Sequence, residues 1–144
     1  MAWASLLDEL SRELDIVIIV SVGNVVPLVP NTTDREDLMA KSRDQLLSDT
    51  HRLIDPATTA LGITVGAITK YEEPASQSDR PTPLSAGKEG YPSVFTRTGS
   101  GVGGAIKPEF VDYGGNMALV QRFDGQSRWI TNRALNEPTL NQYH

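Results

Sequence analysis

The side chain in this sequence best placed to do chemistry is Asn24, which follows Gly23 shortly after an apolar run at residues 16–20. Open α/β sheets bind ligands beyond the carboxyl ends of their strands. A glycine there lets the backbone approach a ligand closely. An asparagine amide can then donate a hydrogen bond to an oxygen that gains negative charge during a reaction. Gly-Asn after a strand is also an ordinary turn, so both interpretations stay open on these residues alone.

Other residues of reactive type have less support from their context. Residues 99–104, GSGVGG, fit G-x-G-x-x-G, but a dinucleotide site needs a helix after the motif, and Pro108 follows with no helical period. A flexible turn is the favoured interpretation. Ser100 lacks the strand-to-helix turn and the base that a nucleophile requires. His51, within DTHR, is predicted to be a solvated residue near a helix end, and His144 is terminal.

Composition removes several classes of function. The 144 residues are enough for one domain over residues 1–144, and they carry a net charge of −5. An acidic chain in which Phe, Trp and Tyr make up 6% of residues suits neither phosphate nor stacked bases, so no nucleic-acid partner is expected. The lack of cysteine excludes disulfides, thiol catalysis and cysteine-bound zinc. Two histidines do not make a histidine-rich metal site, and no cofactor is expected.

Targeting features are equally sparse. No apolar run approaches the roughly 20 residues that a bilayer requires, so no membrane partner is expected. The N-terminal residues include no basic region, and acidic residues from Asp8 onwards interrupt the apolar stretch, so no signal peptide is predicted in this chain. The compartment stays unknown, cytoplasmic or secreted, because it depends on what precedes Met1.

An α/β fold is predicted to position Asn24. Leucines at helical spacing predict an amphipathic helix over residues 3–14. The β-branched run at 16–20 predicts a strand buried on both faces, as in parallel sheets covered by helices. The remaining predicted elements are a helix from a cap at Thr33 or Asp34 to about Leu47, a turn at Pro56, a buried strand at 63–68, a long surface loop at 72–92, a short strand at 93–98, an extended segment at 107–111 and a hairpin at 117–131 around Asp124-Gly125.

Four segments resemble, in order, the subtilisin-like serine proteases, or subtilases. They are DIVIIVSVGN at 15–24, similar to a buried strand ending in S/A-x-G-N; PATTALGITVGAI at 56–68, similar to P-A-x…I-x-V-G-A; VFTRTG at 94–99, similar to F-S-x-x-G; and KPEFVDYGG at 107–115, similar to K-P-D-x-x-A-P-G. The resemblance implies the central and C-terminal portion of a subtilase peptidase domain. The predicted fold class is therefore α/β, a partial subtilisin-like (Rossmann-like) parallel sheet flanked by helices, with a C-terminal β-hairpin.

The resemblance also implies roles for individual residues. Asn24 would be the oxyanion-hole asparagine, donating to the negative oxygen of the tetrahedral intermediate; losing such a donor costs about 3 kcal/mol of transition-state stabilisation, a magnitude established on subtilisin itself. Ile54 and Asp55 match positions near the floor of the pocket for the substrate side chain next to the cleaved bond. An apolar Ile54 would suit a small or medium apolar side chain. One wall of that pocket would be formed by Ser21, Val22 and Gly23.

The chain departs from the family pattern at the catalytic centre. The aspartate segment D-T/S-G, the histidine segment H-G-T and the nucleophile segment G-T-S-x-x-x-P are not found in these 144 residues, and Asp112-Tyr113 stands where the family has Ala-Pro. The resemblance thus implies a fragment of a serine endopeptidase that keeps the oxyanion donor without the Asp-His-Ser triad and is inactive by itself. Its parent would act on polypeptides. Calcium is compatible with the family, but no site for it is identified.

Two alternatives remain beside the protease fragment. One is a small α/β ligand-binding domain that uses the loop after residue 20, and the other is a regulatory domain without catalysis. Both require a sheet that is complete in itself. A fragment would instead leave apolar faces in water at a cost of about 25 cal/mol per Å². Self-association of the fragment is therefore expected.

Overall fold

The structure, a computed structural model, describes residues 2–70, 72, 84–121 and 125–131. Over these residues the chain forms two α-helices, α1 (Trp3–Leu14) and α2 (Arg35–Leu46), with 3₁₀ turns at Asp49–His51 and Val102–Gly104. Its strands are β1 (Ile19–Ser21), β2 (Ile63–Ile68), β3 (Leu84–Ser85), β4 (Gly99–Ser100), β5 (Ile106–Lys107), β6 (Phe110–Tyr113), β7 (Met117–Gln121) and β8 (Ser127–Thr131). Neither helix in this part of the chain is long and apolar enough to cross a membrane.

A three-stranded parallel sheet in the order β1-β2-β6 carries the candidate site. Ile19 lies opposite Ile63 and Val65 opposite Phe110. The central strand β2 has the bounds that its apolar, β-branched residues predict, and Thr64 on it is fully buried. With helices and antiparallel strands around this sheet, the predicted α/β fold class is confirmed.

The predicted strand at residues 16–20, buried on both faces, is wrong in extent and in burial. The observed strand β1 is Ile19–Ser21, and the side chains of Val17 and Ile19 are 71% and 68% exposed. Within the described residues β1 pairs with β2 alone, so it is an edge strand of its sheet. β-branched residues favour an extended backbone, but burial depends on neighbours that local sequence does not specify.

Helix α1 has the predicted bounds and is anchored on the turn that precedes β2. The Asp55 carboxylate accepts hydrogen bonds from the backbone N–H groups of Trp3 and Ala4, at 2.6 and 2.5 Å. These first-turn amides have no partner within the helix, so the carboxylate satisfies them. Its negative charge also interacts favourably with the positive end of the helix dipole. The helix ends at Asp15, which adopts a left-handed conformation with φ 52°.

Helix α2 packs on a second, antiparallel sheet in the order β3-β7-β8. It begins as predicted after Asp34, whose side chain accepts a hydrogen bond from the Asp37 N–H at 2.9 Å. Leu38 is fully buried in the core, whereas Leu47, near which the helix was predicted to end, directly follows the helix and is 82% exposed. The core around Leu38 consists of Ala86, Val94 and Leu119, with Leu84, Met117 and Trp129 packed against it.

The C-terminal hairpin is confirmed, whereas the loop predicted at 72–92 and the strand predicted at 93–98 need correction. Strands β7 and β8 pair from Met117↔Thr131 to Gln121↔Ser127. The predicted loop at 72–92 contains β3, which pairs with β7, and its residues 73–83 lie outside the described part of the chain. Residues 93–98 form isolated bridges instead of a strand. The tail at 132–144, which includes His144, is also outside the described residues.

Candidate active site

Asn24 lies three residues beyond the end of β1, on a turn that Gly23 makes possible. Gly23 has φ +80°, a conformation that side-chain-bearing residues rarely adopt. Its N–H lies 3.2 Å from the Ser21 hydroxyl oxygen, which accepts its hydrogen bond. Val22 is 2% exposed and donates its N–H to the Val65 carbonyl at 3.0 Å, which keeps the start of the turn on β2. Asn24 itself is exposed.

One short stretch, residues 95–98, links the Asn24 turn to the segment that contains Ile54. On one side, Asn24 forms an antiparallel bridge with Thr96, and the Val25 N–H donates to the Phe95 carbonyl at 2.9 Å. On the other side, the Leu53 N–H donates to the Thr98 carbonyl at 3.0 Å. The structure thus brings residues 21–24 and 53–54 to the two ends of a single stretch.

The two residues predicted near the pocket floor have different surroundings. Ile54 is 51% exposed, and its carbonyl accepts a hydrogen bond from the Ala57 N–H at 2.8 Å. Asp55 next to it is engaged with the first turn of α1. A backbone turn follows at Pro56, as predicted. The role of Ile54 in a substrate pocket stays a prediction.

The prediction that His51 is solvated is wrong. His51 is 1% exposed, its Nε2 lies 3.1 Å from the Val94 carbonyl oxygen, and its Nδ1 lies 3.2 Å from the Thr50 hydroxyl. A carbonyl can only accept, so Nε2 carries the proton and donates. Both ring nitrogens of His51 therefore have protein partners, and the ring joins the 3₁₀ turn to the core at Val94.

The glycine-rich segment at 99–104 connects two short strands. Gly99 pairs with Lys107 and Ser100 with Ile106 across β4 and β5, and a 3₁₀ turn lies between them. No α-helix follows the motif within the described residues, so the turn interpretation is confirmed. Ser100 is exposed on this hairpin.

Arg97 is a residue that sequence reasoning missed. A Cβ placed on Gly23 would lie 3.7 Å from Arg97 Cδ and 3.9 Å from its Nε, so the arginine side chain runs alongside the Asn24 turn. Its Nη1 donates to the carbonyls of Thr50 and Arg52, at 3.3 and 2.8 Å. Its Nε is buried and has no hydrogen-bond partner. The only signal was one arginine in the segment VFTRTG.

An ion pair of a buried lysine in the KPEF segment was missed as well. The Lys107 side chain is 1% exposed, and its Nζ lies 2.5 Å from Glu109 Oε1 and 2.8 Å from the Gly62 carbonyl oxygen. Glu109 Oε2 accepts the Thr64 N–H at 2.8 Å. Burial raises the pKa of Glu109, but the hydrogen bonds from Lys107 and Thr64 outweigh it and hold the pKa below its usual value. This pair holds the segment before β6 against β2.

Two further observations concern ligands. In the parts of the chain with described structure, no group of three or more Asp, Glu or His side chains is arranged to hold a metal ion, so calcium has no assigned site.

A groove of about 460 Å³ lies between α2 and residues 86–98, lined in part by Met39, Leu46 and Tyr91. None of its lining residues belongs to the Asn24 turn.

The fold and the four motif segments agree with a match to the subtilase family over residues 2–143, and the chain belongs to this family of serine proteases. A relative from Sinorhizobium fredii, described as "Uncharacterized protein y4bN", is 38% identical over 118 residues. The alignment covers 80% of this chain and 26% of the relative, so the chain spans about a quarter of that protein's length. No solved structure gives a significant match.

Proposed function

We propose that this chain is the central and C-terminal portion of the peptidase domain of a subtilisin-like serine endopeptidase, and that Asn24 supplies its oxyanion-hole amide. The observation that carries the proposal is an exposed asparagine on a glycine turn at the carboxyl end of a parallel strand, in a chain of the subtilase family. Peptide-bond cleavage develops negative charge on the carbonyl oxygen, and a donor already in position stabilises that charge more than it stabilises the bound substrate.

The turn before Asn24 supplies the substrate-facing surface of this proposal. Ser21, Val22 and Gly23 form one wall of the pocket, with Ile54 near its floor. Because Val22 is buried and Gly23 has no side chain, the backbone is the main contact that this wall offers. The rigid attachment of the turn to residues 95–98 matters here, since a displaced donor loses much of its effect on the transition state.

The nucleophile, the base and the aspartate come, in this proposal, from other parts of a longer protein. The relative's length, about four times the aligned stretch, leaves room for them. The 144 residues alone then hydrolyse no peptide, because an oxyanion donor without a nucleophile gives only a small residual acceleration. A serine-directed phosphonate should not label the isolated chain, and labelling would contradict the proposal.

The functional test is Asn24→Ala in the protein produced from its complete reading frame. We expect kcat for a peptide substrate to fall by about 100- to 1,000-fold, with KM nearly unchanged, because the amide acts in the transition state. Asn31→Ala, at another exposed asparagine, is the matched control and should leave both constants alone. A full-length protein without peptidase activity would reject this function and favour a ligand-binding or regulatory domain.

A further inference from the structure

We infer that Arg97 is a specificity-determining residue which selects a carboxylate-bearing substrate side chain, glutamate or aspartate, next to the bond that is cleaved. This inference rests on the proposed function, since it places the substrate by the role of Asn24.

The Arg97 side chain lies against the residue that directly precedes Asn24. Its Cδ and Nε are 3.7 and 3.9 Å from the position a Cβ would take on Gly23, which is ordinary van der Waals contact. Consecutive Cα atoms are about 3.8 Å apart. The Arg97 side chain is therefore about one residue away from Asn24, and Gly23 has no side chain to separate them.

The Arg97 guanidinium is held in place by neutral carbonyl groups, and no carboxylate of the described residues pairs with it. Nη1 is bound to two backbone carbonyls, those of Thr50 and Arg52. No ion pair among the described residues involves Arg97, and the nearby Asp49 carboxylate pairs with Arg52 Nε at 2.6 Å. A cation held in this way loses less side-chain freedom when it binds an anion.

The unused donors define the kind of ligand. Nη2 makes no hydrogen bond with any described residue and is accessible to solvent. In contrast, Nε is buried beside Gly23. A carboxylate oxygen approaching Nη2 would form a charge-assisted hydrogen bond, which is roughly twice as strong as a neutral one. An amide of the same shape would accept a hydrogen bond from the same cation but would lack the attraction between opposite charges. The side chain of the substrate residue on the acyl side of the cleaved bond is the group in reach.

This assignment differs from the apolar preference that Ile54 suggests. Ile54 is half-exposed and so shelters an apolar substrate side chain only in part. Arg97, in contrast, touches the turn itself. The two expectations are distinguished by substrates that differ only in this one side chain.

The experiment uses the full-length protein and three peptides that carry Glu, Gln or Leu on the acyl side of one cleavable bond. We expect kcat/KM for the Glu peptide to exceed that for the Gln peptide by about tenfold or more. Arg97→Gln should reduce this ratio to about one, and the Leu peptide reports any general loss of activity in the variant. Arg97→Lys, which keeps the charge, should retain part of the preference. Arg43→Gln, at an exposed arginine of α2, is the control and should keep the wild-type ratio.

A binding measurement separates failure of the inference from failure of the proposed function. Two product peptides, one ending in Glu and one in Gln and both amidated at the C-terminus, are compared. Each is titrated by calorimetry into the wild-type protein and into Arg97→Gln. Tighter binding of the Glu peptide that disappears in Arg97→Gln supports the inference even if no peptide is cleaved. Cleavage with equal rates for Glu and Gln overturns it while the endopeptidase proposal stands. Absence of both cleavage and Arg97-dependent binding rejects both.

Discussion

Lys107 and Glu109 form an ion pair across Pro108, with 2.5 Å between Nζ and Oε1, although the lysine side chain is 1% exposed. The Gly62 carbonyl takes a second hydrogen bond from the same ammonium, and Thr64 donates to the other carboxylate oxygen. The K-P-E segment therefore acts as a structural clamp between the residues before β6 and the start of β2. A buried ammonium is costly unless it is paired, so the clamp depends on the glutamate.

Glu109→Gln should destabilise the fold, because it leaves the buried Lys107 ammonium without its counter-charge. Full loss of a buried partner costs 3–5 kcal/mol in the usual case, and the 35% exposure of the Glu109 side chain reduces this to about 2 kcal/mol. Denaturant unfolding followed by circular dichroism measures the change. Asp49→Asn breaks the exposed pair with Arg52 and should leave the midpoint unaltered; equal effects of both variants would refute the clamp.

Acid should weaken the fold through Asp8 and Glu109. Burial raises the pKa of Asp8, but hydrogen bonds from Thr59, Leu61 and Ala60 outweigh it, so the folded-state pKa lies below 3.8; that of Glu109 lies below 4.5. The folded protein then binds fewer protons than the unfolded chain, so stability is full above these values and falls as pH drops through them. Unfolding midpoints measured at successive pH values should decline below about 4.5. Glu109→Gln should flatten part of that decline, and a curve identical to wild type would contradict this.

His51→Ala should destabilise the protein without acting on the chemistry. The change leaves the Val94 carbonyl unsatisfied and opens a cavity, for a loss of about 2–4 kcal/mol in the free energy of unfolding. At a temperature where the full-length variant is still folded, kcat should match wild type, since both ring nitrogens are used in hydrogen bonds to Val94 and Thr50. A large fall in kcat with unchanged stability would show that His51 takes part in catalysis.

Gly23→Ala should disturb Asn24 through the backbone. Alanine at φ +80° costs about 1 kcal/mol and favours a different turn, which displaces Asn24 from its backbone bridge with Thr96. Turnover by the full-length protein should fall, with little change in overall stability. Gly103→Ala is the matched control, since Gly103 has φ +65° and open space around it. It imposes similar strain on the β4–β5 turn and should leave turnover intact.

The isolated chain should self-associate through the exposed apolar residues of its parallel sheet. Ile19 on the β1 edge and Phe110 on β6 are 68% and 60% exposed. Apolar surface on unpaired strands promotes contact between copies. Light scattering should show species larger than a monomer, and Ile19→Ser with Val17→Ser should shift the population towards monomer. A monomeric wild-type chain that binds no hydrophobic dye would argue against this.

The sequence predicts those elements whose signals are local. Leucine spacing is sufficient for α1, a side-chain cap at Asp34 for the start of α2, and the run at 63–68 for β2. It fails where the deciding partner is distant in the chain. The exposure of β1 depends on which strands flank it, and the burial of His51 depends on Val94. The position of Asn24 could be anticipated from a strand followed by Gly-Asn, whereas the approach of Arg97 to Gly23 arises only from tertiary folding.

Residues 95–98 form hydrogen bonds with the chain just after Asn24 and again at Leu53. The segment between those two points, which includes α2, therefore begins and ends at the same short stretch. The spatial closeness of the two ends makes this excursion a natural place for variation in length among homologous chains. Insertions there would alter the outer surface and the packing around Leu38. Such insertions would not have to move Asn24, because its bridge with Thr96 does not involve the inserted residues.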